Sequence, residues 1–396
     1  MRKGSIMKDR NFEIAKRLGG VNEYYFSSKL REIALMQKQG MQVINLGIGS
    51  PDLPPHRSVI EELSETAAKS ENHGYQSYSG IVELRNAFSE WYIQNYRVVL
   101  NPENEILPLI GSKEGIMHIA MTFLDEKDEV LVPDPGYPAY AAVSSISGAK
   151  SITYNLKESN QWLPDFEELE NMNLTKVKLM WVNYPNMPTG AAPGFEFYQR
   201  LVEFGNKHSI LIVNDNPYSF ILNPYPQSIL TVPGALEGCI ELNSLSKSHN
   251  MAGWRVGMMA ASETNIQKIL KFKSNMDSGM FKPLQKAAVK ALGLSKDWYE
   301  GLNLIYRERR NIAEEIMDLL GCVFQKEQTG LFLWGKIPDN FVDSFQLSEH
   351  LLYKNGVFIT PGGIFGKNGN SYIRISLCSP KETLQEAKNK LCELEL

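Results

Sequence analysis

The stretch Ile210-Leu-Ile-Val-Asn-Asp-Asn-Pro-Tyr218 indicates both the fold and the place where chemistry occurs. Its first four residues are apolar on both faces, and strands of that kind belong to parallel or mostly parallel sheets that are covered by helices. Asp215 follows this run almost at once. An acidic residue at the carboxyl end of a buried strand points into the crevice in which α/β proteins bind their ligands.

Further apolar runs extend this pattern through the middle of the chain, separated by segments of helical period such as Ile116–Leu124 and Phe197–His208. The candidate strands beside Ile210–Asn214 are Val130–Pro133, Val177–Asn183, Ile240–Asn243 and Val256–Ala261. We therefore predict an α/β/α sandwich with a mostly parallel sheet, which forms a large domain over residues 51–290.

The pattern changes after residue 290. A long helical pattern occupies residues 296–320, and a closing helix carries Leu384, Ala387, Leu391 and Leu394 on one face. Short strands are predicted at Phe332–Trp334, Val357–Thr360 and Tyr372–Leu377. Helices segregated from a small sheet indicate a separate α+β domain over residues 291–396. Residues 1–50 are expected to form an N-terminal arm and part of this small domain.

Composition and charge exclude several classes of protein. The length of 396 residues predicts two to three domains. The net charge of −4 offers no basic surface for nucleic acid. The 4 cysteines show no paired spacing, and the 6 histidines show no ligand spacing, so neither a disulfide framework nor a metal site is expected. No apolar segment follows the basic start or reaches the ~18 residues of a membrane helix, and a cytoplasmic location is expected.

The segment Asn243-Ser-Leu-Ser-Lys-Ser-His-Asn-Met-Ala-Gly-Trp-Arg-Val-Gly257 carries the strongest chemical pattern. Lys247 follows a predicted strand and could form a Schiff base with an aldehyde cofactor. Ser244, Ser246 and Arg255 could bind a phosphate dianion, because arginine offers planar bidentate donors and serine adds neutral ones. Considered alone, this segment would also be consistent with a solvated lysine in a loop.

Two further patterns agree with a phosphorylated aldehyde cofactor. Asp215 could hold a protonated pyridine nitrogen, and Tyr218 could donate to a phenolic oxygen of the same ring. Gly111-Ser-Lys-Glu-Gly115 opens a helical pattern, and small residues at a helix N-terminus leave backbone N–H groups free for a phosphate. A turn-capping aspartate and an ordinary helix cap are the alternatives.

Several segments in order resemble the class I and II aminotransferases of the aspartate aminotransferase type, which are pyridoxal-5′-phosphate (PLP) enzymes of fold type I. The resemblance runs nearly end to end and is carried by Asn45–Asp52, Tyr75–Arg85, Pro133–Tyr140, Asn183–Gly190, the Lys247–Arg255 spacing and Ile373–Ser376. Each segment alone is moderately specific, whereas the ordered set is very specific. The resemblance implies a PLP-dependent aminotransferase that moves an amino group from an L-amino acid to a 2-oxo acid by a ping-pong mechanism.

The resemblance also implies roles for individual residues. Lys247 would form the Schiff base and move the proton, Asp215 would pair with the pyridinium, and Tyr218 would donate to the phenolic oxygen. Tyr137 would stack on the ring, Ser112, Lys113, Ser244, Ser246 and Arg255 would hold the phosphate, and Tyr75 would reach the phosphate of a neighbouring subunit in a homodimer. Arg374 would clamp the substrate α-carboxylate, and Gly49 would line the same pocket.

One position departs from the family pattern. Met187 stands where the family usually has an asparagine that donates to the phenolic oxygen, and methionine cannot donate. Asn183 or water would have to replace that donor. A C–S lyase or another PLP enzyme of the same fold is the alternative function, because its cofactor motifs would be identical. A ligand-sensing transcription regulator is disfavoured, since about 40 residues before the first motif leave little room for a DNA-binding module.

Overall fold

The computed structural model describes residues 12–21 and 23–392. The basic start, Met1–Arg10, and Leu394 of the predicted closing helix lie outside these residues. The strands are β1 (Ile44–Asn45), β2 (Ile106–Leu109), β3 (Glu129–Asp134), β4 (Lys150–Asn155), β5 (Val177–Val182), β6 (Leu211–Asp215), β7 (Cys239–Ser244), β8 (Gly257–Ala260), β9 (Val323–Phe324), β10 (Phe332–Lys336), β11 (Val357–Phe358), β12 (Thr360–Pro361) and β13 (Tyr372–Ser376).

The α-helices alternate with these strands in the first part of the chain and then flank the small sheet. They are α1 (Tyr25–Lys38), α2 (Arg57–Ala67), α3 (Val82–Tyr96), α4 (Ser112–Phe123), α5 (Ala139–Ile146), α6 (Phe166–Glu170), α7 (Phe195–His208), α8 (Ala235–Gly238), α9 (Leu245–Ser248), α10 (Glu263–Lys273), α11 (Lys282–Leu292), α12 (Lys296–Leu319), α13 (Ser344–Asn355) and α14 (Lys381–Cys392). Within the described ranges, no helix combines the length and apolar character needed to cross a membrane.

Seven strands form the large sheet in the order β2-β8-β7-β6-β5-β3-β4. Every neighbouring pair is parallel except those that involve β8, which runs antiparallel to β7 and β2. The predicted strands at 130–133, 177–183, 210–214, 240–243 and 256–261 all lie in this sheet. The prediction of a mostly parallel α/β/α fold is confirmed.

Both faces of the large sheet are buried, as the apolar runs predicted. In β5, Leu179 and Trp181 belong to the core cluster that includes α4, α5 and α10. Met180 and Val182 alternate with them and belong to the opposite cluster, with α3, α7 and α11. Successive side chains of a strand point to opposite faces, so a strand between two helical layers is apolar at every position.

The C-terminal part carries a four-stranded antiparallel sheet in the order β12-β13-β10-β9. The predicted single strand at Val357–Thr360 is wrong in one respect, because it divides between two sheets: β11 pairs with β1, whereas β12 pairs with β13. The described part of the N-terminal arm packs here, where Lys29 of α1 pairs with Glu349 of α13 at 2.6 Å. The domain boundaries at residues 50 and 290 stay predictions.

Candidate active site

A cavity of about 650 Å³ opens at the carboxyl edge of the large sheet, next to the small sheet. Parallel strands end at this edge together, so residues that follow β5, β6 and β7 converge there although they are distant in sequence. The lining consists of Tyr24, Phe26, Ser27, Leu30, Ile48, Gly49, Ser50, Ser112, Lys113, Ile116, Tyr137, Tyr140, Asn183, Met187, Asp215, Pro217, Tyr218, Ser244, Ser246, Lys247, Ala252, Arg255, Phe332, Phe365 and Arg374.

Lys247 lies in α9, the short helix that follows β7 directly. Ser244 caps this helix, because its hydroxyl accepts from the Ser246 amide at 3.1 Å. The Lys247 ammonium donates to the Gly49 carbonyl at 2.5 Å. Burial lowers the pKa of Lys247, and the positive charges of Arg374 and Arg255 lower it further. A lysine with a lowered pKa can act as a nucleophile and as a base near neutral pH.

Asp215 ends β6 with one carboxylate oxygen satisfied and one free. Its Oδ2 accepts from the Tyr140 hydroxyl at 2.9 Å, whereas the buried Oδ1 has no hydrogen-bond partner. Burial raises the pKa of Asp215 to about 6, and the Tyr140 hydrogen bond opposes that rise. A buried oxygen without a partner is costly, so this carboxylate is suited to a positively charged N–H group in the cavity.

In the turn before α4, the backbone at Gly111 lies close to the side chain of Arg255. Gly111 has φ +79°, and a Cβ placed there would lie 2.0 Å from the Arg255 guanidinium. The turn therefore needs glycine both for its conformation and for space. Across it, the Ser244 hydroxyl lies 2.8 Å from that of Ser246, and Arg255 lies 3.5 Å from Ser246. Hydroxyls, a guanidinium and the N-terminus of α4 together suit a phosphate dianion.

The Glu114 carboxylate holds the same turn in place from behind. Glu114 accepts from the backbone N–H of Ile110 at 2.5 Å, and its other oxygen lies 3.1 Å from the ring of buried His118. These two residues and Asp277 have the chemistry of metal ligands and lie within 4.8 Å of one another. The almost fully buried Lys273, however, forms an ion pair with Asp277 and supplies a positive charge there.

Arg374 lies in β13 and is buried, and it takes part in none of the ion pairs that arginines form among residues 12–21 and 23–392. It donates to the Gly47 carbonyl at 2.8 Å and contacts the Met187 sulfur at 3.1 Å, while its Nε has no partner. Burial lowers the pKa of Arg374 to about 10. The Gly47 and Gly49 carbonyls belong to one loop, which therefore fixes Arg374 and Lys247 relative to each other.

Twelve of the predicted site residues line this one cavity: Lys247, Asp215, Tyr218, Tyr137, Ser112, Lys113, Ser244, Ser246, Arg255, Asn183, Arg374 and Gly49. Tyr75 does not line it and is 93% exposed. Arg374 does not lie on the surface: its side chain is buried beside Phe332, with its guanidinium carbon 3.9 Å from the ring centroid.

Sequence reasoning missed several lining residues. Tyr140 was predicted only as the end of the segment Pro133–Tyr140, although an aromatic residue three positions after Tyr137 was a usable signal. Phe332 and Phe365 gave no signal, because they reach the cavity from β10 and from the turn after β12, which are distant in sequence from the cofactor motifs.

The structure also bears on the missing donor at Met187. The Asn183 amide donates to the Asp215 carbonyl at 2.5 Å, and its oxygen accepts from the Met187 amide at 2.8 Å. Through these two hydrogen bonds, the Asn183 side chain holds the backbone at Asp215 and at Met187 in place.

Comparison with known proteins agrees with this geometry. The profile of the aminotransferase class I and II family matches residues 41–391. The chain belongs to this family. It is 40% identical over 385 residues, 97% of this chain and 99% of the relative, to an LL-diaminopimelate aminotransferase of Dehalococcoides mccartyi. It is 39% identical over 387 residues, 97% of this chain and 100% of the relative, to an LL-diaminopimelate aminotransferase of Aquifex aeolicus.

Solved structures of other proteins share the fold along most of the chain. Substrate-bound BacF from Bacillus subtilis matches with a TM-score of 0.93 and 34% identity, covering 97% of this chain and 98% of its own. An aminotransferase from Staphylococcus aureus matches with a TM-score of 0.88 and 30% identity, covering 96% and 99%. The protein is therefore a PLP-dependent aminotransferase of fold type I, which transfers an amino group from an amino acid to a 2-oxo acid.

The lining residues fit PLP. The free Oδ1 of Asp215 can accept from a pyridine N–H, the turn at Gly111 with Arg255 can take the phosphate, and Lys247 supplies the amine. When bound, PLP supplies an electron sink for the negative charge that develops at the substrate Cα.

Proposed function

We propose that the residues of this cavity divide the work of transamination among four tasks. Lys247 holds the cofactor and moves the proton, and Asp215 pairs with the pyridine nitrogen. Tyr218 donates to the phenolic oxygen, and Tyr137 covers the ring. The phosphate is held by Ser112 and Lys113, mainly through their backbone N–H groups, and by Ser244, Ser246 and Arg255.

One observation carries this proposal: two buried ions of opposite charge lie in one cavity, and neither is neutralised by an ion pair within the described chain. Asp215 has a free oxygen, Arg374 has a free Nε, and Lys247 lies in the same cavity. Leaving buried charges unpaired costs several kcal/mol, so such groups are retained where ligands complete them. The two ligands bring the matching charges. PLP supplies a pyridinium for Asp215, and the amino acid supplies a carboxylate for Arg374.

The chain's own groups then perform the proton transfer. Arg374 fixes the substrate α-carboxylate by a bidentate contact, which leaves the Cα–H bond directed at Lys247. Neutral Lys247 accepts the Cα proton at Nζ and returns it as an acid. Burial lowers the pKa of Lys247, which favours its neutral form, and the Gly49 carbonyl holds Nζ in position.

Transfer of the amino group to a second molecule distinguishes this function from lyase chemistry. Incubation with a ¹⁵N-labelled amino acid and 2-oxoglutarate is expected to give labelled glutamate and the 2-oxo acid of the donor. Mass spectrometry of both products checks this result. Release of labelled ammonia with no labelled glutamate would indicate a C–S lyase or a related reaction and would overturn the proposal.

We also propose a homodimer in which Tyr75 of each subunit completes the other subunit's phosphate site. The support is the position of Tyr75, which lies outside its own cavity and is 93% exposed on a segment with exposed Tyr78 and Val82. Exposed apolar residues in one patch are typical of subunit interfaces.

Subunit mixing tests this arrangement. Tyr75→Phe should bind PLP about 10- to 100-fold more weakly, because a hydrogen bond to a charged group is lost. Refolding a mixture of Tyr75→Phe and Lys247→Ala subunits should restore high-affinity PLP sites, since one site of each mixed dimer has both residues. PLP titration and sedimentation check this. A monomer with full PLP affinity, or no restoration in mixed dimers, would contradict it.

A cytoplasmic location belongs to the same proposal. All four cysteines are free thiols, and a reducing compartment preserves that state. Fractionation of cells that express the natural gene is expected to recover the activity with cytoplasmic markers, and recovery in the culture medium would contradict this.

A further inference from the structure

We propose that this enzyme prefers amino donors with an apolar, and above all an aromatic, side chain. The inference rests on the proposed function, because it takes Arg374 as the site of the substrate α-carboxylate. The relatives are named for LL-diaminopimelate, whose far end carries a second ammonium and a second carboxylate. The lining of the cavity in this chain favours a different class of donor.

The cavity offers few charged side chains that could pair with a second charged group at the far end of a substrate. Within the described chain, the ionisable acids and bases of the lining, apart from tyrosines, are Lys113, Asp215, Lys247, Arg255 and Arg374. The charged side chains of all except Lys113 have a task toward the cofactor or the α-carboxylate, whereas Lys113 holds the phosphate through its backbone N–H. Asp215, the carboxylate of that set, belongs to the cofactor ring, so a far ammonium finds no anion. The Lys113 ammonium lies 5.3 Å from the Tyr24 ring centroid. Burying a charged end without a partner is strongly unfavourable.

The surfaces around Arg374 are aromatic on three sides. The guanidinium carbon lies 3.9 Å from the ring centroid of Phe332, 4.7 Å from that of Phe365 and 5.6 Å from that of Phe26. A substrate held at Arg374 by its α-carboxylate therefore extends its side chain along these rings. Ring–ring contact adds to the gain from burying apolar area, which favours an aromatic side chain over an aliphatic one.

One wall of this region comes from α1 and is built from a helical repeat. Phe26 and Leu30, four residues apart, both line the cavity, and Ile48 lies on the loop opposite. Tyr24 packs on Phe26 with ring centroids 5.5 Å apart. Leu35 lies on the same helix but is 58% exposed and outside the cavity, so it offers a matched control.

A panel of single-turnover reactions tests the preference on the assembled PLP enzyme, which includes whatever a second subunit adds. Loss of the cofactor's visible band is followed with phenylalanine, leucine, alanine, glutamate and LL-diaminopimelate, without an acceptor. The second-order rate constant for phenylalanine should exceed that for alanine by about 10- to 100-fold, with glutamate and LL-diaminopimelate below phenylalanine. Faster reaction with LL-diaminopimelate or glutamate would overturn the inference and leave the aminotransferase function intact. Reaction with none of the five would also overturn the inference, and the ¹⁵N-transfer experiment would then decide separately whether the amino group is transferred at all.

Variants locate the preference in the aromatic wall. Phe26→Ala should lower the rate constant for phenylalanine about tenfold more than that for alanine, because alanine has no ring to pack there. Leu35→Ala should leave both rate constants unchanged. An equal loss for phenylalanine and alanine in a Phe26→Ala protein with a native melting temperature would remove Phe26 from the side-chain site.

Discussion

Lys247→Ala should lose its visible absorbance band and at least about 10⁴-fold in turnover, the largest effect expected from one substitution. The reason is that one amine serves as both the covalent anchor and the proton carrier. The other lysine of the described lining, Lys113, lies over the Tyr24 ring, whereas Lys247 is hydrogen-bonded to Gly49 beside Arg374. Spectra of the purified protein with excess PLP and a turnover assay check both losses.

Three controls separate chemistry from folding in this experiment. Lys296→Ala, at an exposed position at the start of α12, should keep the band and the activity. Added small primary amines should restore part of the Lys247→Ala turnover, since they replace the missing base. Borohydride reduction of the unchanged protein should attach the cofactor to the peptide that contains Lys247. Attachment at Lys113 with full activity in Lys247→Ala would contradict the assignment.

The strands that sequence reasoning found and those it missed differ in position within the sheet. β3, β5, β6, β7 and β8 lie inside the large sheet, where neighbours on both sides and helices on both faces demand continuous apolar runs. The two strands of the large sheet that were missed, β2 and β4, are its edges. β4 is only partly buried, so its sequence mixes polar and apolar residues and shows no continuous apolar run. β2 contains Pro108, which edge strands tolerate but which argues against a strand in the sequence. Local pattern thus detects the centre of a sheet better than its margins.

The candidate site divides in the same way. Residues whose chemistry fits the cofactor were recognisable because they follow predicted strands or helix starts at fixed spacing, as Lys247, Asp215 and Ser112 do. Phe332 was not, because an aromatic residue carries no chemical signal until the fold brings it to Arg374. The residues that bind the cofactor can therefore be recognised from short sequence motifs. The surface that selects the substrate side chain forms only through tertiary packing.

Arg374→Ala should lower kcat/KM by about 10²- to 10³-fold, because truncating one partner of a buried charge pair costs ~2–5 kcal/mol. The loss should appear mainly as a higher KM for amino acids. Amine donors without a carboxylate should lose much less, since Arg374 acts on the carboxylate alone. Steady-state kinetics with phenylalanine and with phenethylamine check this difference. Equal losses for both donors would contradict the role.

The same substitution should not weaken the folded protein, and this distinguishes a binding arginine from a structural one. Arg374 is buried with an unpartnered Nε, and burial lowers its pKa to about 10, so its charge is unfavourable in the free enzyme. Removing an unpaired buried charge is neutral or stabilising, offset by the loss of contacts with Phe332 and Gly47.

Arg374→Lys keeps the charge without the bidentate geometry and should recover only part of the binding. Thermal melting of the free and substrate-bound forms should therefore differ more in the unchanged protein than in Arg374→Ala, because the substrate carboxylate supplies the partner that this arginine lacks.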